Sequence, residues 1–263
     1  MYTDLHCHIL PGIDDGAKTM AQSLAMARLA VEDDIHCIVV TPHHLNGVYD
    51  NPAERVLSSM AALQAELQAN DIDLELRPGA ELHLVPELPK QLASGQALTV
   101  ANRGRAVLVE LPVHTIPMGS DLILEQILAQ GLTPIIAHPE RNSQLRQEPD
   151  RLAEWVEFGC LAQITGQSCT GQFGPQVRET ARLMLQRGLI HIVASDAHRD
   201  QRRIPELSSS HDQVANWIGE EAAELVAVEW PRQLADGKLP DTEPLAGLVS
   251  SRPSSWWQRL WQR

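Results

Sequence analysis

Short, continuous apolar runs alternate along most of the chain with longer segments whose apolar residues recur every three or four positions. The first pattern is that of a strand buried on both faces, the second that of an amphipathic helix. Residues 35–41 (IHCIVVT) form such a run, stopped by Pro42, and residues 74–76, 106–109, 133–137, 161–165 and 190–194 repeat it. Between them lie predicted helices. The first opens on Thr19 and Gln22, a capping-box pair, and carries Leu24, Ala27, Ala30 and Val31 on one face. Residues 52–70 place Val56, Leu57, Met60, Leu63 and Leu67 at helical spacing. Residues 120–130, 149–158 and 175–187 each stop at a glycine: Gly131, Gly159 and Gly188. About seven βα units without a linker predict either one parallel barrel or an open doubly wound sheet. From Pro231 the pattern dissolves into a polar segment punctuated by proline, which divides the chain into a domain over residues 1–230 and an appendage over 231–263.

Composition narrows the function classes. Apolar residues make up 43% and charged residues 21%, ordinary for a soluble globular protein, but aromatics are only 4%, so the core must be aliphatic. A formal net charge of -13 disfavours a general nucleic-acid binder, which needs Lys and Arg in excess, and is compatible with a site for several cations. Cys7, Cys37, Cys160 and Cys169 show no CxxC spacing and are read as reduced intracellular thiols. With neither a signal-like start nor a long apolar stretch, a cytoplasmic protein is expected.

The chemistry lies where the strands end. In His6-Cys7-His8 the period-two alternation of a strand aims both imidazoles at one point. His43 follows the second strand, Glu81 follows Gly79-Ala80, Glu110 and His138 close the next two, and Asp196 and His198 follow the last, while Asp15 sits in the loop after His8. These nine share the C-terminal rim on which parallel α/β folds build active sites. Nine N and O donors exceed the needs of one ion, so two or three divalent metals with a carboxylate bridge are expected. Cys7, on the opposite strand face, is expected to be buried and inert. A cysteine phosphatase is excluded: the position six residues after each cysteine holds Ile13, His43, Gly166 or Pro175, never the arginine that chemistry needs. A G-x-S-x-G elbow is absent as well.

The segments DLHCHILPGIDDG, VVTPHH, GAE, VEL, IIAHPERN and ASDAH resemble motifs of the polymerase and histidinol phosphatase (PHP) superfamily. Their wording is closest to the metal-dependent tyrosine-protein phosphatases of bacterial capsule and exopolysaccharide loci, the CpsB/CapC type. The resemblance spans residues 2–230 and implies a distorted (β/α)7 barrel with a trinuclear centre. It assigns one metal to His6, His8, Glu81 and Asp196, a second to Glu81, Glu110 and His138, and a third to Asp15, His43 and His198, with Glu81 as bridge. Asp14 competes with Asp15, and His44 with His43. The family's short Asn-containing motif before the C-terminal helix is replaced here by Val228-Glu229-Trp230-Pro231.

A bridging water between divalent ions loses a proton near neutral pH, which makes hydrolysis the natural reaction. Arg141 and Arg203, in the loops after His138 and His198, are the expected phosphate ligands, with Arg202 as a competitor of Arg203. The loop Gly171-Gln172-Phe173-Gly174 resembles the family's substrate side. Manganese is the first choice of metal, with iron or zinc as alternatives, because the donors are His and carboxylate without thiolate. The resemblance implies hydrolysis of phosphotyrosine on a membrane-associated bacterial tyrosine kinase. Hydrolysis of a small phosphomonoester such as histidinol phosphate, and a non-catalytic metal-dependent regulatory module, are the competing readings. Three of six tryptophans fall within residues 256–261, interleaved with arginines, so residues 252–263 are expected to touch the inner face of the membrane peripherally.

Overall fold

The computed structural model describes residues 1–250; the Trp/Arg-rich tail lies outside the described residues. The strands are β1 (Tyr2–Cys7), β2 (Ile35–Val40), β3 (His43–His44), β4 (Glu75–Pro78), β5 (Glu81–His83), β6 (Ala106–Glu110), β7 (Thr133–Ala137), β8 (Leu161–Thr165) and β9 (Ile192–Ala194). All pair in parallel, in two sheets ordered β1-β2-β4 and β3-β5-β6-β7-β8-β9. The helices between them include α1 (Met20–Glu32), α2 (Ala53–Ala69), α3 (Leu88–Ala93), α4 (Ser120–Ala129), α5 (Ser143–Gln147), α6 (Asp150–Glu157), α7 (Gly166–Thr170) and α8 (Pro175–Gln186).

The two sheets are one barrel wall with two interruptions. β2 and β3 are successive pieces of one path, broken at Thr41-Pro42, and β4 and β5 are pieces of the next, broken at Gly79-Ala80. Pro42 has no N–H for a ladder. Gly79 crosses the end of β2 so closely that a Cβ would lie 2.7 Å from Val39 Cγ1 and 3.1 Å from Val40 O. Counted as paths, seven strands surround the axis. The ring closes between its first and last members, where Cys7 bridges Ala197, His8 N donates to Ala197 O (2.8 Å) and Asp196 N donates to His6 O (2.7 Å). This is a distorted (β/α)7 barrel, and the distortion is the pair of breaks. They also correct the placement of two site residues: His43 and Glu81 each begin a short strand segment rather than following one.

Strand alternation divides the barrel's contents. Ala106 and Leu108 share a face of β6 with Glu110, and Ile192 and Ala194 share a face of β9, with Asp196 two residues past its end. The apolar members of these faces join Ile135 and Ala137 in a cluster closed at the N-terminal end by Val100, Ala101, Leu234 and Ala235. The polar members stand above it, at the C-terminal rim. A larger aliphatic layer, with Val107, Val109 and Ile136 from the strands and Leu63, Leu124 and Ile127 from the helices, lies outside the wall.

The packed chain continues past the change in composition at Pro231. Helices α9 (Ser208–Ile218), α10 (Glu220–Glu224), α11 (Trp230–Ala235) and α12 (Glu243–Ser250) follow the last strand, and α11 supplies Leu234 and Ala235 to the inner cluster. Between α10 and α11 the helix widens to a π turn over Leu225–Glu229. Pro231 lacks the N–H that a normal turn requires there, and its ring crowds the preceding carbonyls.

Candidate metal centre

Three hydrogen bonds decide which nitrogen each of three histidines offers. His6 Nδ1 lies 3.0 Å from Gln163 Oε1, His8 Nδ1 lies 2.7 Å from Asp14 Oδ2, and His198 Nδ1 lies 2.9 Å from the Asp196 carbonyl. Each partner only accepts, so each Nδ1 carries the proton and each Nε2 presents a lone pair. The lone pairs converge: His6 Nε2 and His8 Nε2 are 3.1 Å apart, and both lie 3.3 Å from Glu81 Oε2. Asp196 Oδ1 is 3.4 Å from the first and 3.6 Å from the second. Lone pairs and carboxylate oxygens facing one another at these distances repel unless a cation, or a set of protons, sits among them.

The rest of the cluster grows from Glu81 and Asp15. His138 Nε2 lies 2.8 Å from Glu81 Oε1 and 3.8 Å from Glu110 Oε1. His43 Nδ1 lies 2.9 Å from Glu81 Oε2 and 3.5 Å from Glu110 Oε2, while its Nε2 lies 3.4 Å from Asp15 Oδ1. His198 Nε2 reaches the same Asp15 oxygen at 3.5 Å. All nine expected donors therefore meet in one cluster. Among the described residues, three sets have donor atoms mutually close enough for one ion: His6, His8 and Glu81; His43, Glu81 and Glu110; and His8, Asp15, His43 and His198. Glu81 belongs to two of them, as a bridge must. These sets differ in detail from the expected partition: His43 takes the place of His138 beside Glu81 and Glu110, His8 joins the Asp15 group, and Asp196 and His138 stand next to the sets rather than within one.

The electrostatics favour divalent cations. Asp15 Oδ1, His43 Nδ1 and Glu81 Oε2 are buried atoms without a hydrogen-bond partner. Burial pushes Glu81 and Asp196 up, yet both are held well below the usual carboxylate range, Glu81 by His6 and His43 and Asp196 by Arg203, His6 and Arg141. Burial likewise pushes His6 and His8 down, and the carboxylates around them reverse it, Glu81 and Asp196 for His6, Asp14 and Glu81 for His8. Protons and metal ions thus compete for the same lone pairs. At His198 burial wins, with the help of His8, and brings the imidazole down to about 4, which keeps it neutral as a ligand must be. The donor set, hard carboxylate and borderline imidazole, fits Mn, Fe or Zn.

Around the donors lies a supporting layer, of which sequence reasoning named only Asp14, and that as a possible donor. Asp14 is turned away from the cluster: it orients His8 and accepts from Gly16 N (2.8 Å) and His43 N (3.2 Å), which leaves the inward position to Asp15. Asp4, fully buried beneath His6, accepts from Ser195 N at 3.0 Å and from the Ser195 hydroxyl. Glu140 accepts from Thr165 N and Ser168 Oγ. Arg199 donates to the carbonyls of Asp15 and Gly16 and ties the two ligand loops together. Asp4 could have been found from its place two residues before His6 on the same strand face; Glu140 and Arg199 are joined to their partners across more than twenty residues and leave no local signal. Of the competing arginines, Arg203 enters the site, with Nη2 2.5 Å from Asp196 Oδ2, whereas Arg202 is exposed. Arg141 pairs with the same carboxylate oxygen.

Residues 2–236 match the sequence model of a family described as capsular polysaccharide synthesis, CpsB/CapC. The chain belongs to the CpsB/CapC family. It is 40% identical over 200 residues to the tyrosine-protein phosphatase YwqE of Bacillus subtilis, covering 76% of this chain and 78% of that one. Identity to the tyrosine-protein phosphatase CpsB of Streptococcus pneumoniae is 30% over 241 residues, covering 90% and 99%. A solved structure from work on those two proteins, described there as unique metal-dependent tyrosine phosphatases, superposes with a TM-score of 0.86 at 34% identity, over 91% of this chain and 96% of that one. The family match ends at residue 236, one past α11, so the helix that closes the barrel's inner cluster falls within the CpsB/CapC unit.

Proposed function

We propose that this CpsB/CapC-family protein is a metal-dependent protein-tyrosine phosphatase acting on a membrane-associated bacterial tyrosine kinase of capsule or exopolysaccharide synthesis. The observation that carries the reading is the meeting of nine metal-type donors around Glu81 with two guanidiniums on Asp196 at the edge of the cluster. His6, His8, Asp15, His43, Glu81, Glu110, His138, Asp196 and His198 would hold two or three divalent ions, manganese first. Once bound, such ions supply Lewis acidity, bringing the pKa of water near neutrality and offsetting charge on a phosphoryl group.

The protein's own residues do the rest. Asp196 takes only part of the donor capacity of Arg141 and Arg203, and Arg203 Nε is buried without a partner, so both forks have N–H groups left for phosphate oxygens. Fixed in place by Asp196, they meet the charge of the transferring phosphoryl group without reorganising. Gln163, Asp14 and the Asp196 carbonyl hold three imidazoles in the tautomer that ligation needs. The leaving phenolate of phosphotyrosine, with a pKa of about 10, departs without a strong general acid. None of the described helices is long and apolar enough to cross a membrane. A cytoplasmic enzyme meeting its substrate at the inner face of the membrane accords with that, and residues 252–263 are the proposed contact.

Turnover of a phosphotyrosine peptide and of histidinol phosphate, each with and without chelator, tests the reading. The peptide should be hydrolysed, activity should vanish on chelation and Mn²⁺ should restore it. Activity that survives exhaustive metal removal, or a preference for histidinol phosphate, refutes it.

A further inference from the structure

The two guanidiniums share an aromatic neighbour. Phe173, half-buried, has Arg141 Cζ 4.7 Å and Arg203 Cζ 5.7 Å from its ring centroid. It stands in a short loop between α7 and α8, bracketed by Gly171 and Gly174, both at φ +91°. That conformation suits glycine and lets the loop turn sharply at each side of the phenylalanine. The chain has only two phenylalanines and two tyrosines. Of these, Phe158 is largely exposed and lies beyond the far end of α6, and Tyr2 packs edge-on against His211. Only Phe173 and Tyr49, which lies parallel to the His43 ring with centroids 6.1 Å apart, touch the metal cluster or its arginines.

We propose that Phe173 is a specificity residue: its ring is the wall against which the phenyl ring of the substrate packs while Arg141 and Arg203 hold the phosphate. The proposal rests on the phosphotyrosine reading above. In an aryl phosphate one ester oxygen joins phosphorus to the ring, so a phosphate gripped by the two forks brings its ring to the surface next to them. Phe173 is the apolar part of that surface. Phosphoserine and phosphothreonine offer no ring to pack there. The existing contacts of Phe173 with both guanidiniums are cation–π in type, which keeps the ring in place before substrate arrives.

Hydrolysis of a phosphotyrosine peptide by the wild type is measured first, because its absence defeats the phosphotyrosine reading by itself. Ring recognition is then read by calorimetric binding of phenylphosphonate and methylphosphonate to the metal-loaded protein, two non-hydrolysable probes that differ in the ring. Phe173→Ala should weaken phenylphosphonate on the order of 10-fold, the scale of a lost aromatic pair plus some burial, and leave methylphosphonate within about 2-fold. Phe173→Trp should keep the preference for phenyl. Equal losses on both probes would reduce Phe173 to a prop for the arginines and overturn the proposal. So would a wild type that binds both probes equally, or a ring-specific loss in Tyr49→Ala that Phe173→Ala does not share.

Discussion

Replacing Gln163 by Leu should cost metal affinity far more than stability. The Gln163 side chain is fully buried, its Oε1 takes the His6 Nδ1 proton at 3.0 Å, and its own Nε2 is buried without a partner. Leucine fills a similar volume. It strands one buried donor, the His6 Nδ1–H, at about 1–3 kcal/mol, but removes another that was already unsatisfied, so the two changes nearly offset in folding free energy. At the metal centre nothing offsets the loss. His6 no longer has a reason to keep its proton on Nδ1, and the tautomer with the proton on Nε2 has no lone pair to give. Losing such an orienting partner typically costs about 10–100-fold in metal affinity. The assay is competition for Mn²⁺ against a chelator of known affinity, together with urea unfolding of the metal-free protein. The expected result is a shifted metal titration, an unfolding free energy within about 1 kcal/mol of wild type, and activity that returns at saturating metal. Unchanged metal affinity would refute the assignment of the His6 tautomer.

Arg141→Ala and Arg203→Ala should each lower turnover of a phosphotyrosine peptide by on the order of 10²-fold or more with metal content unchanged, while Arg202→Ala stays near wild type. Near-normal turnover in either of the first two would reduce that arginine to a surface role. His191, buried against Trp230 with Nδ1 accepting from Ala162 N, is pushed by burial down to about 4 from 6.5. Below pH 6.5 the unfolded chain therefore takes up a proton that the folded chain refuses. Stability falls as pH drops from about 6.5 to about 4, by about 3 kcal/mol in all and about 2 kcal/mol by pH 5. Urea midpoints at pH 7 and pH 5 should differ more for wild type than for His191→Gln; equal differences would reject the cause. Deleting residues 252–263 should leave peptide hydrolysis intact and weaken binding to anionic vesicles, and loss of peptide activity would point instead to a tail docked on the barrel.

Most of the barrel and its ligand rim could be read from the sequence because both depend on local signals. A strand buried on both faces is a continuous apolar run, and the residue after it falls on the rim, so the rim positions of His138, Glu110 and Asp196 are legible in the sequence. The positions of His43 and Glu81 are legible too, but not the breaks before them, because a proline or glycine at a strand end reads as a terminus whether or not the path resumes beyond it. The choice between Asp14 and Asp15 was invisible for another reason: it depends on His8 Nδ1 and the Gly16 and His43 amides capturing one carboxylate. Gln163 and Arg199 bond to the His6 ring and to the Asp15–Gly16 backbone, 157 and more than 180 residues away in sequence, and no periodicity records such a pairing. The π turn before α11 was likewise unmarked, because a proline in a polar-looking segment reads as the end of order.

Closure of the barrel between Cys7 and Ala197 joins positions 190 residues apart, and the candidate metal donors straddle that seam. His6 and His8 lie on one side of it, Asp196 and His198 on the other. A chain emerging from the ribosome therefore carries the first two candidate ligands long before their counterparts exist, and no nascent fragment that stops short of His198 can complete the cluster. Contacts of such long range form late and slowly in folding. Maturation of the centre is thus tied to completion of the barrel, and a bound ion becomes a clasp on the last seam to close.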